Sequence, residues 1–297
     1  MNSADAHRNS PSEDRSSLAP GLHIVATPIG NLEDITLRAL RVLREADLIA
    51  CEDTRHTQKL LNHFGISSRT TSYHEHNEKE RAEELITELE QGARIALVSD
   101  AGTPGVSDPG YRLISLAVER GLPVIPVPGV SALVAALAGS GLPTDSFSFG
   151  GFLPAKAGQR RQTLEELRES TQTQVFYEAP HRLQQALQDV VELLGPHRHI
   201  VVARELTKIH EEFLRGTAQQ VLDTLKSRGE IKGEITLLIS KAEEGDASLA
   251  VPRVNLRQRL EQIMAEQNLD EKAALKKLAK EMGVSKSQAY RELQRSR

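Results

Sequence analysis

The sequence contains one cysteine, no tryptophan and few aromatic residues, which make up only 3% of the chain. The single cysteine, Cys51, excludes an internal disulfide and is typical of the reducing cytoplasm, where we expect this protein to reside. Because 39% of the residues are hydrophobic, we expect the cores to be aliphatic. The sequence has no apolar run of about eighteen residues, so we expect neither a membrane-spanning helix nor a membrane partner.

The length of 297 residues exceeds that of an average domain and predicts more than one. Residues 1–20 are rich in Ser, Asp and Asn and lack the apolar segment of a secretory signal, so we expect a disordered tail. A second polar stretch predicts a linker over residues 243–252. The expected domains are an α/β domain over 21–143, a second α/β domain over 144–242 and a helical module over 253–297.

Charge is distributed unevenly along the chain, although the net charge at pH 7 is only −4. Residues 253–297 contain 11 Lys or Arg and 6 Asp or Glu, a charge of +5, whereas residues 1–252 contain 26 and 35, a charge of −9. A basic module on an acidic body indicates that the module contacts an anionic partner. The alternative is an ordinary solvated helical tail.

The segment after the predicted buried strand Ile95–Val98 has the features of a ligand-binding loop. Asp100 follows the strand, and a loop rich in glycine and proline comes next. Asp108 is expected to cap a helix over residues 109–120. In open α/β sheets, ligands bind beyond the carboxyl ends of the strands, where such loops lie. The alternative is a tight connection between strand and helix with two capping aspartates.

Two more junctions of this kind occur in the first half of the chain. A predicted strand over 22–26 is followed by Thr27–Leu32, after which Asp34 is expected to cap a helix over 35–45. A predicted strand over 123–127 is followed by Pro128–Ala132, which opens a helix that extends to Gly139. Neither loop has the G-x-G-x-x-G pattern, so a nicotinamide cofactor is not indicated. Three such junctions predict a ligand-binding edge.

A further predicted strand, over residues 47–51, ends in the charged segment Glu52–Arg55. Two roles are open for Asp53 in this segment. It can cap the predicted helix over 54–64, or it can share the ligand-binding cleft with Asp100. The sequence alone does not decide between these roles.

Two histidines, His74 and His76, raise the question of a metal site. The segment around them lacks an H-E-x-x-H helix and a clear third ligand, which a zinc site requires. We therefore expect no metal, and a polar loop that precedes a helix over residues 78–91.

The second half of the chain is also predicted to mix strands and helices. The expected strands cover residues 146–153, 174–178, 199–203, 212–215 and 234–240, and the expected helices cover 162–170, 182–194 and 217–228. A basic loop over 154–161 precedes the first of these helices and could close over a phosphate. The alternative is a solvated basic start of that helix.

Five ordered motifs between about residues 21 and 241 carry a resemblance to a known family. The motifs are Thr27–Leu32, Cys51–Arg55, Ser99–Pro104, Pro128–Ala132 and Phe176–Arg182. Together they resemble the tetrapyrrole methylase superfamily. The resemblance implies an α/β fold of two domains, with S-adenosylmethionine in the cleft between them, and a homodimer. The first motif is less glycine-rich than in the corrin and precorrin methylases, and it is similar to that of the branch that modifies ribosomal RNA.

The resemblance to that branch implies 2′-O-methylation of a cytidine in the 16S rRNA of the small ribosomal subunit. Methyl transfer from a sulfonium is an in-line displacement, and a ribose hydroxyl becomes a good nucleophile only when a base accepts its proton. The candidate catalytic residues are Asp100, Glu178, His181 and Glu205. Which of them is the base stays open. A methylase of a tetrapyrrole small molecule and a non-enzymatic ribosome-binding protein are the alternative functions.

The residues expected to bind S-adenosylmethionine lie mainly on the three junction loops. They are Pro28, Gly30, Asp100, Thr103, Pro104, Val106, Ser107, Ser131, Ala132 and Tyr177. An acidic cleft suits the positive sulfur of this cofactor, and exposed backbone amides suit its amino-acid end.

The C-terminal segment Asp270–Tyr290 resembles a helix-turn-helix. Gly283–Ser285 is predicted to form the turn, after an apolar helix face made by Ala274, Leu275, Leu278 and Ala279. In combination with the basic charge, this pattern favours docking to RNA or to the ribosome. The alternative is a helical hairpin that packs on the body of the protein or on a dimer partner.

Overall fold

A computed structural model of the chain describes residues 18–242, 256–267, 269–281, 286, 289–290 and 293. Residues 1–17 and the predicted linker over 243–252 lie outside the described residues. The chain forms two compact units, one that ends at Ser131 and one that begins at Ala132. The domain limits expected from the sequence stay a prediction. In the described ranges, no helix combines the length and the apolar character needed to cross a membrane.

The first unit is built on five parallel strands. They are β1 Gly21–Val25, β2 Leu48–Cys51, β3 Thr70–Ser72, β4 Arg94–Val98 and β5 Val124–Val127. The helices are α1 Leu37–Glu45, α2 Thr54–His63, α3 Glu78–Glu90 and α4 Tyr111–Glu119. The strand order is β3-β2-β4-β1-β5. The four predicted strands are confirmed, whereas β3, with the sequence Thr-Thr-Ser, has no apolar pattern and escapes prediction.

Alternate strand residues point to opposite faces of this sheet, and helices cover both faces. Val25 and Ile49 pack with residues of α1 and α2 on one face. Leu22 and Leu97 pack with residues of α3 and α4 on the other. The ends of the strands are therefore the places where polar functional groups can gather, and the carboxyl ends of all five strands share one edge.

The predicted N-cap role of Asp34 is wrong. Asp34 ends a 3-10 turn, Leu32–Asp34, whose own cap is the side chain of Asn31. Thr36 instead caps α1, because its hydroxyl oxygen accepts a hydrogen bond of 3.0 Å from the backbone N–H of Ala39. The helix therefore begins two residues later than the sequence pattern indicates.

The predicted N-cap role of Asp108 is also wrong. Helix α4 begins after Gly110, whose φ of 144° suits only glycine, and no side chain caps it. Asp108 interacts with Ser99 instead, and this interaction partly offsets the rise in its pKa. By contrast, the capping role of Asp53 is confirmed, since its carboxylate accepts a hydrogen bond of 2.8 Å from the backbone N–H of Arg55 at the start of α2.

The second unit contains a mixed five-stranded sheet. Its strands are β6 Phe147–Phe152, β7 Thr173–Glu178, β8 His199–Arg204, β9 Glu212–Thr217 and β10 Ile235–Ile239. Its first four helices are α5 Ala132–Ser140, α6 Ala157–Glu166, α7 Pro180–Leu194 and α8 Ala218–Lys226. The strand order is β6-β7-β10-β8-β9, and only the β6–β7 pair is parallel. As expected, its core is mainly aliphatic.

The basic loop predicted over residues 154–161 is largely helical. Helix α6 begins at Ala157, and the Arg160 side chain is buried against α7, where its Nε donates to Asp189 at 2.7 Å. Arg161 donates to Asp189 and to Glu192. These two guanidinium groups are therefore bound within the protein, which argues against Arg160 and Arg161 as phosphate ligands. Closure of this loop over a phosphate stays a prediction. The alternative of a helix start is correct in outline, but Arg160 is buried rather than solvated.

The C-terminal segment forms α9 Leu256–Gln267 and α10 Glu271–Glu281. The predicted apolar face of α10 is confirmed, because all four of its residues are buried together with Leu260 and Ile263 of α9. The predicted turn over 283–285 lies outside the described residues. At the other end of the chain, Leu18 is buried against α1, so the packed part begins within the predicted tail.

Candidate functional site

The predicted site residues fall into two groups, one in each unit. The three junction loops and Asp100 lie in the first unit up to Ser131, while Ala132 begins α5 in the second unit. Tyr177, Glu178, His181 and Glu205 also belong to the second unit.

The three junction loops of the first unit are bonded to one another at the carboxyl edge of the sheet. The backbones of Thr27 and Gly102 exchange hydrogen bonds of 2.8 and 3.0 Å. The hydroxyl of Thr103 donates to the carbonyl of Val130 at 3.3 Å. These contacts join the loops after β1, β4 and β5. The sequence-based prediction that the loops form one edge is therefore confirmed.

A cavity of about 210 Å³ lies beside this edge. Thr27, Pro28, Ser99 and Asp100 line it from the junction loops. His56 and Thr57 of α2 line it from the other side, and the sequence pattern gives no signal for their involvement. Of the predicted cofactor residues, Pro28 and Asp100 therefore face a cavity within the first unit.

Three carboxylates interact electrostatically in this part of the first unit, and one of them, Asp100, lines the cavity. We call Glu52, Asp100 and Asp108 the carboxylate cluster. Asp100 accepts a hydrogen bond of 3.1 Å from the backbone N–H of Asp53. Burial raises the pKa of Asp108 to about 6, and the negative charges of Glu52 and Asp100 add to this effect. Burial and the charge of Asp100 also raise the pKa of Glu52.

Asp108 is a functional candidate that the sequence-based prediction missed, since an aspartate before a proline has the pattern of a helix cap. One sequence signal could have identified it. The dipeptide Ser-Asp occurs twice within ten residues, as Ser99-Asp100 and as Ser107-Asp108. The folded chain brings the two aspartates close enough to interact electrostatically.

The loop that carries Asp108 has a strained backbone. Ser107 adopts a left-handed φ of 60°, which a residue with a side chain rarely takes. Gly110 approaches Gly105 so closely that an added Cβ would lie 3.1 Å from the Gly105 nitrogen. Strain of this kind is typical of loops whose shape serves a ligand. Val106 and Ser107 of this loop are exposed.

Glu178 in the second unit is buried and committed to internal contacts. One of its carboxylate oxygens, Oε1, accepts hydrogen bonds from the backbone N–H of Ala179 at 2.7 Å and from Arg182 Nε at 2.8 Å. The other oxygen, Oε2, has no partner among the described residues. The Glu178 side chain therefore fixes the position of Arg182. His181, on the first turn of α7, is exposed.

Glu205 is also bonded within the protein. Its Oε1 accepts hydrogen bonds from Lys208 Nζ at 2.8 Å and from the backbone N–H of Glu234 at 2.9 Å. The bond from Lys208 lowers the pKa of Glu205, so this carboxylate is a weaker proton acceptor than an isolated one. Glu205 and Thr207 have left-handed φ values of 52° and 65°, which mark a second strained loop.

The histidine segment forms the expected polar loop before α3. Asn77 accepts a hydrogen bond of 2.9 Å from the backbone N–H of His74. Among the described residues, no group of three or more His, Cys, Asp or Glu side chains is placed to hold a metal ion.

Comparison with known proteins gives consistent matches. A family described as tetrapyrrole (corrin/porphyrin) methylases matches residues 21–222. Ribosomal RNA small subunit methyltransferase I of Halalkalibacterium halodurans is 48% identical over 275 residues, which cover 91% of this chain and 93% of that protein. The protein of the same name from Escherichia coli O157:H7 is 46% identical, with 91% and 93% covered.

Solved structures of similar fold are more distant in sequence. The crystal structure of a diphthine synthase matches with a TM-score of 0.59 and 16% identity, covering 76% of this chain and 92% of that one. Uroporphyrin-III C-methyl transferase from Thermus thermophilus, complexed with S-adenyl homocysteine, matches with a TM-score of 0.53 and 18% identity, covering 77% and 100%. At these identities the likeness establishes the fold alone.

Proposed function

This chain belongs to the tetrapyrrole (corrin/porphyrin) methylases, and we propose that it transfers a methyl group from S-adenosylmethionine to the 16S rRNA of the small ribosomal subunit. The observation that carries this proposal is the group of relatives named ribosomal RNA small subunit methyltransferase I, which are 48% and 46% identical over nine-tenths of the chain. We propose the 2′-hydroxyl of a cytidine as the acceptor. A cytoplasmic homodimer is part of the same proposal.

The chemistry of the first unit fits the proposed cofactor. When bound, S-adenosylmethionine supplies an electrophilic methyl group on a positively charged sulfur. The carboxylate cluster holds like charges in a partly buried place, which is unfavourable until a cation offsets their repulsion. The proposed contacts are Pro28, Gly30, Asp100, Thr103, Pro104, Val106, Ser107, Ser131, Ala132 and Tyr177. The solved methyl transferase with S-adenyl homocysteine supports a cofactor of this kind.

We infer that Asp108 accepts the proton of the attacking hydroxyl. In that step the hydroxyl oxygen forms a bond to the methyl carbon, the carbon–sulfur bond breaks, and the proton moves to the carboxylate. A base works best when its pKa lies near the working pH, and burial together with the charges of Glu52 and Asp100 raises the pKa of Asp108 to about 6. Glu178 and Glu205 are already bonded to Arg182 and Lys208, which makes them weaker candidates for the base.

The C-terminal module is proposed to bind the phosphates of the RNA. Lys272, Lys276 and Lys280 are exposed at a spacing of four residues along α10, away from its buried face. Three lysines on one side of a helix provide a positive stripe for phosphate. This stripe, together with the +5 charge of residues 253–297, supports contact with RNA.

The reaction is tested by mapping ribose methylation in 16S rRNA from cells with and without the gene. We expect one 2′-O-methylcytidine to disappear when the gene is absent. Purified protein and S-adenosylmethionine should restore it in small subunits from the deficient cells. An unchanged methylation map would overturn the proposed acceptor.

The cofactor site is tested with Asp100→Ala. We expect the dissociation constant for S-adenosylmethionine to rise at least tenfold, about 1.4 kcal/mol, because a negative charge next to the cationic ligand is lost. Isothermal calorimetry measures the constant. Asp47→Ala is the matched control, since Asp47 precedes β2 at the opposite edge of the sheet and pairs with Arg94. Equal affinity of both variants would contradict the placement of the cofactor.

A further inference from the structure

The first unit is poor in lysine, and one of its lysines lines the cavity. Residues 1–131 contain only two, Lys59 of α2 and Lys79 of α3. Lys59 lines the cavity of about 210 Å³ together with His56, which lies three residues earlier on the same helix. Residues three apart share one face of a helix, so both side chains belong to the same wall. We call His56 and Lys59 the α2 wall.

The side chains of the α2 wall are not bonded to the protein itself. Both are exposed, and among the described residues neither forms a side-chain hydrogen bond or an ion pair. Arg55, on the first turn of α2, differs from them, because its Nε and Nη2 donate to Asp53 at 3.1 and 2.8 Å. Lys59 and Asp100 line the same cavity without forming an ion pair. The Lys59 ammonium is therefore available to an anion from outside the protein.

The rest of the cavity is partly apolar and is held in shape by a buried hydrogen bond. Pro28 and Leu32 line it from the loop after β1, and Leu60 lines it from α2. The hydroxyl of Thr27 donates to the carbonyl of Ser99 at 3.1 Å, which joins the loop after β1 to the loop after β4. The cavity therefore combines apolar surface with a carboxylate and a cationic side chain.

The size of the cavity limits what it can hold. Sites that enclose a whole drug-sized ligand measure about 300–1,000 Å³, whereas this cavity measures about 210 Å³. It therefore suits a group smaller than a whole S-adenosylmethionine molecule. One ribose with its phosphate matches the lining, because the sugar can pack on the apolar surface while a lysine binds the phosphate as a point charge.

We propose that this cavity holds the ribose and phosphate of the acceptor nucleotide, with Lys59 as the phosphate ligand and His56 as a second hydrogen-bonding group, an inference that rests on the proposed function. Pro28 and Asp100, which are proposed to contact the cofactor, line the same cavity. The acceptor is thereby held beside the methyl donor, as an in-line displacement requires. The phosphate contact of the α2 wall adds to that of the lysine stripe on α10.

Kinetics of the full-length Lys59→Ala variant with small ribosomal subunits test the phosphate contact. KM for the particle should rise about tenfold. The turnover number kcat should change little, because the phosphate is bound equally before and during methyl transfer. The slope of log affinity against log salt concentration should become shallower by about 0.7–0.9, the value for one lost phosphate contact. Lys59→Arg should restore most of the affinity, since a guanidinium also binds phosphate.

The matched control is Lys79→Ala, which removes the other lysine of the first unit. Lys79 is exposed on α3, a helix that packs on the opposite face of the sheet from α2. KM and the salt slope should stay at the parent values in this variant, and equal changes in both variants would overturn the proposal. Calorimetry should find the same S-adenosylmethionine affinity in Lys59→Ala as in the parent. A weaker affinity would assign Lys59 to the carboxylate of the cofactor and would also overturn the proposal.

Chemical protection separates this inference from the proposed function, since it requires no methyl transfer. Acetylation of the parent protein, mapped by peptide mass spectrometry, reports the reactivity of each lysine. Small ribosomal subunits should protect Lys59 and leave Lys79 reactive, whereas S-adenosylmethionine alone should protect neither. Protection of Lys59 without a methylated cytidine in 16S rRNA would contradict the proposed function and leave the phosphate contact standing. A methylated cytidine with Lys59 still reactive would contradict the phosphate contact alone.

Discussion

Carboxylates at the ends of strands and in the loops that follow them behave differently in the two units. Among the described residues, none of the three members of the carboxylate cluster in the first unit forms an ion pair with Lys, Arg or His. In the second unit, Glu178 and Glu205, also at strand ends, are bonded to Arg182 and Lys208. Carboxylates in comparable parts of the two units therefore have opposite electrostatic surroundings.

The difference separates carboxylates that stabilise the fold from carboxylates that are available to a ligand. When a carboxylate is bonded to a cation, removing either partner lowers the stability of the folded protein. A carboxylate held next to other carboxylates lowers the stability of the folded protein through repulsion, and a bound cation can offset this repulsion. The opposite directions of the pKa shifts of Asp108 and Glu205 express this contrast.

The largest effect is expected from removing a paired carboxylate that is fully buried. Asp189 and its partner Arg160 are 2% and 3% exposed. Asp189→Ala leaves the Arg160 charge without its carboxylate, and we expect a loss of about 3–5 kcal/mol in the free energy of unfolding. Chemical denaturation measures it. Glu192→Ala is the control, since Glu192 bonds to Arg161 at the surface and should cost less than about 1 kcal/mol. Similar losses for both variants would contradict the role of burial.

An intermediate effect is expected from Glu178→Gln. The amide oxygen can still accept a hydrogen bond from the backbone N–H of Ala179. The negative charge opposite Arg182 is lost, however. The amide NH₂ also replaces Oε2, an oxygen that has no partner among the described residues. We expect a loss of about 1–3 kcal/mol in unfolding free energy, measured by denaturation. A more stable variant would mean that Glu178 belongs with the carboxylate cluster.

The smallest effect, with the opposite sign, is expected from Asp108→Asn. The folded-state pKa of about 6 lies above the ordinary value of 3.8, so the folded state binds this proton more tightly than the unfolded state. The ionised carboxylate therefore costs stability above pH 6, and this cost disappears as the pH falls below about 4. We expect the variant to be more stable than the parent by about 1–2 kcal/mol at pH 7.5.

Thermal unfolding of parent and Asp108→Asn across this pH range measures the difference. It should vanish near pH 4, and methyl transfer by the variant should be strongly reduced at pH 7.5. A variant that is less stable than the parent at pH 7.5 would show that Asp108 has a stabilising role like the paired carboxylates of the second unit.

Local sequence patterns were enough to predict most of the strands and helices, though not β3, and to predict the family. Mainly apolar runs identify β1, β2, β4 and β5, because a strand with residues buried on both faces, as β2 has throughout, needs apolar side chains on both sides. The glycine- and proline-rich loops after three of these strands predicted one edge, which the bonds between Thr27, Gly102, Thr103 and Val130 confirm. The five motifs predicted the methylase family that the comparisons show.

Whether a charged side chain is paired or unpaired depends on contacts that form only in the folded chain. Arg160 has the pattern of a solvated basic residue until Asp189, 29 residues away in the chain, pairs with it. Asp108 has the pattern of a helix cap until the fold places it beside Glu52 and Asp100. Local patterns fix the backbone because helix and strand periodicities are short-range, whereas the state of a charge depends on partners that the folded chain brings together.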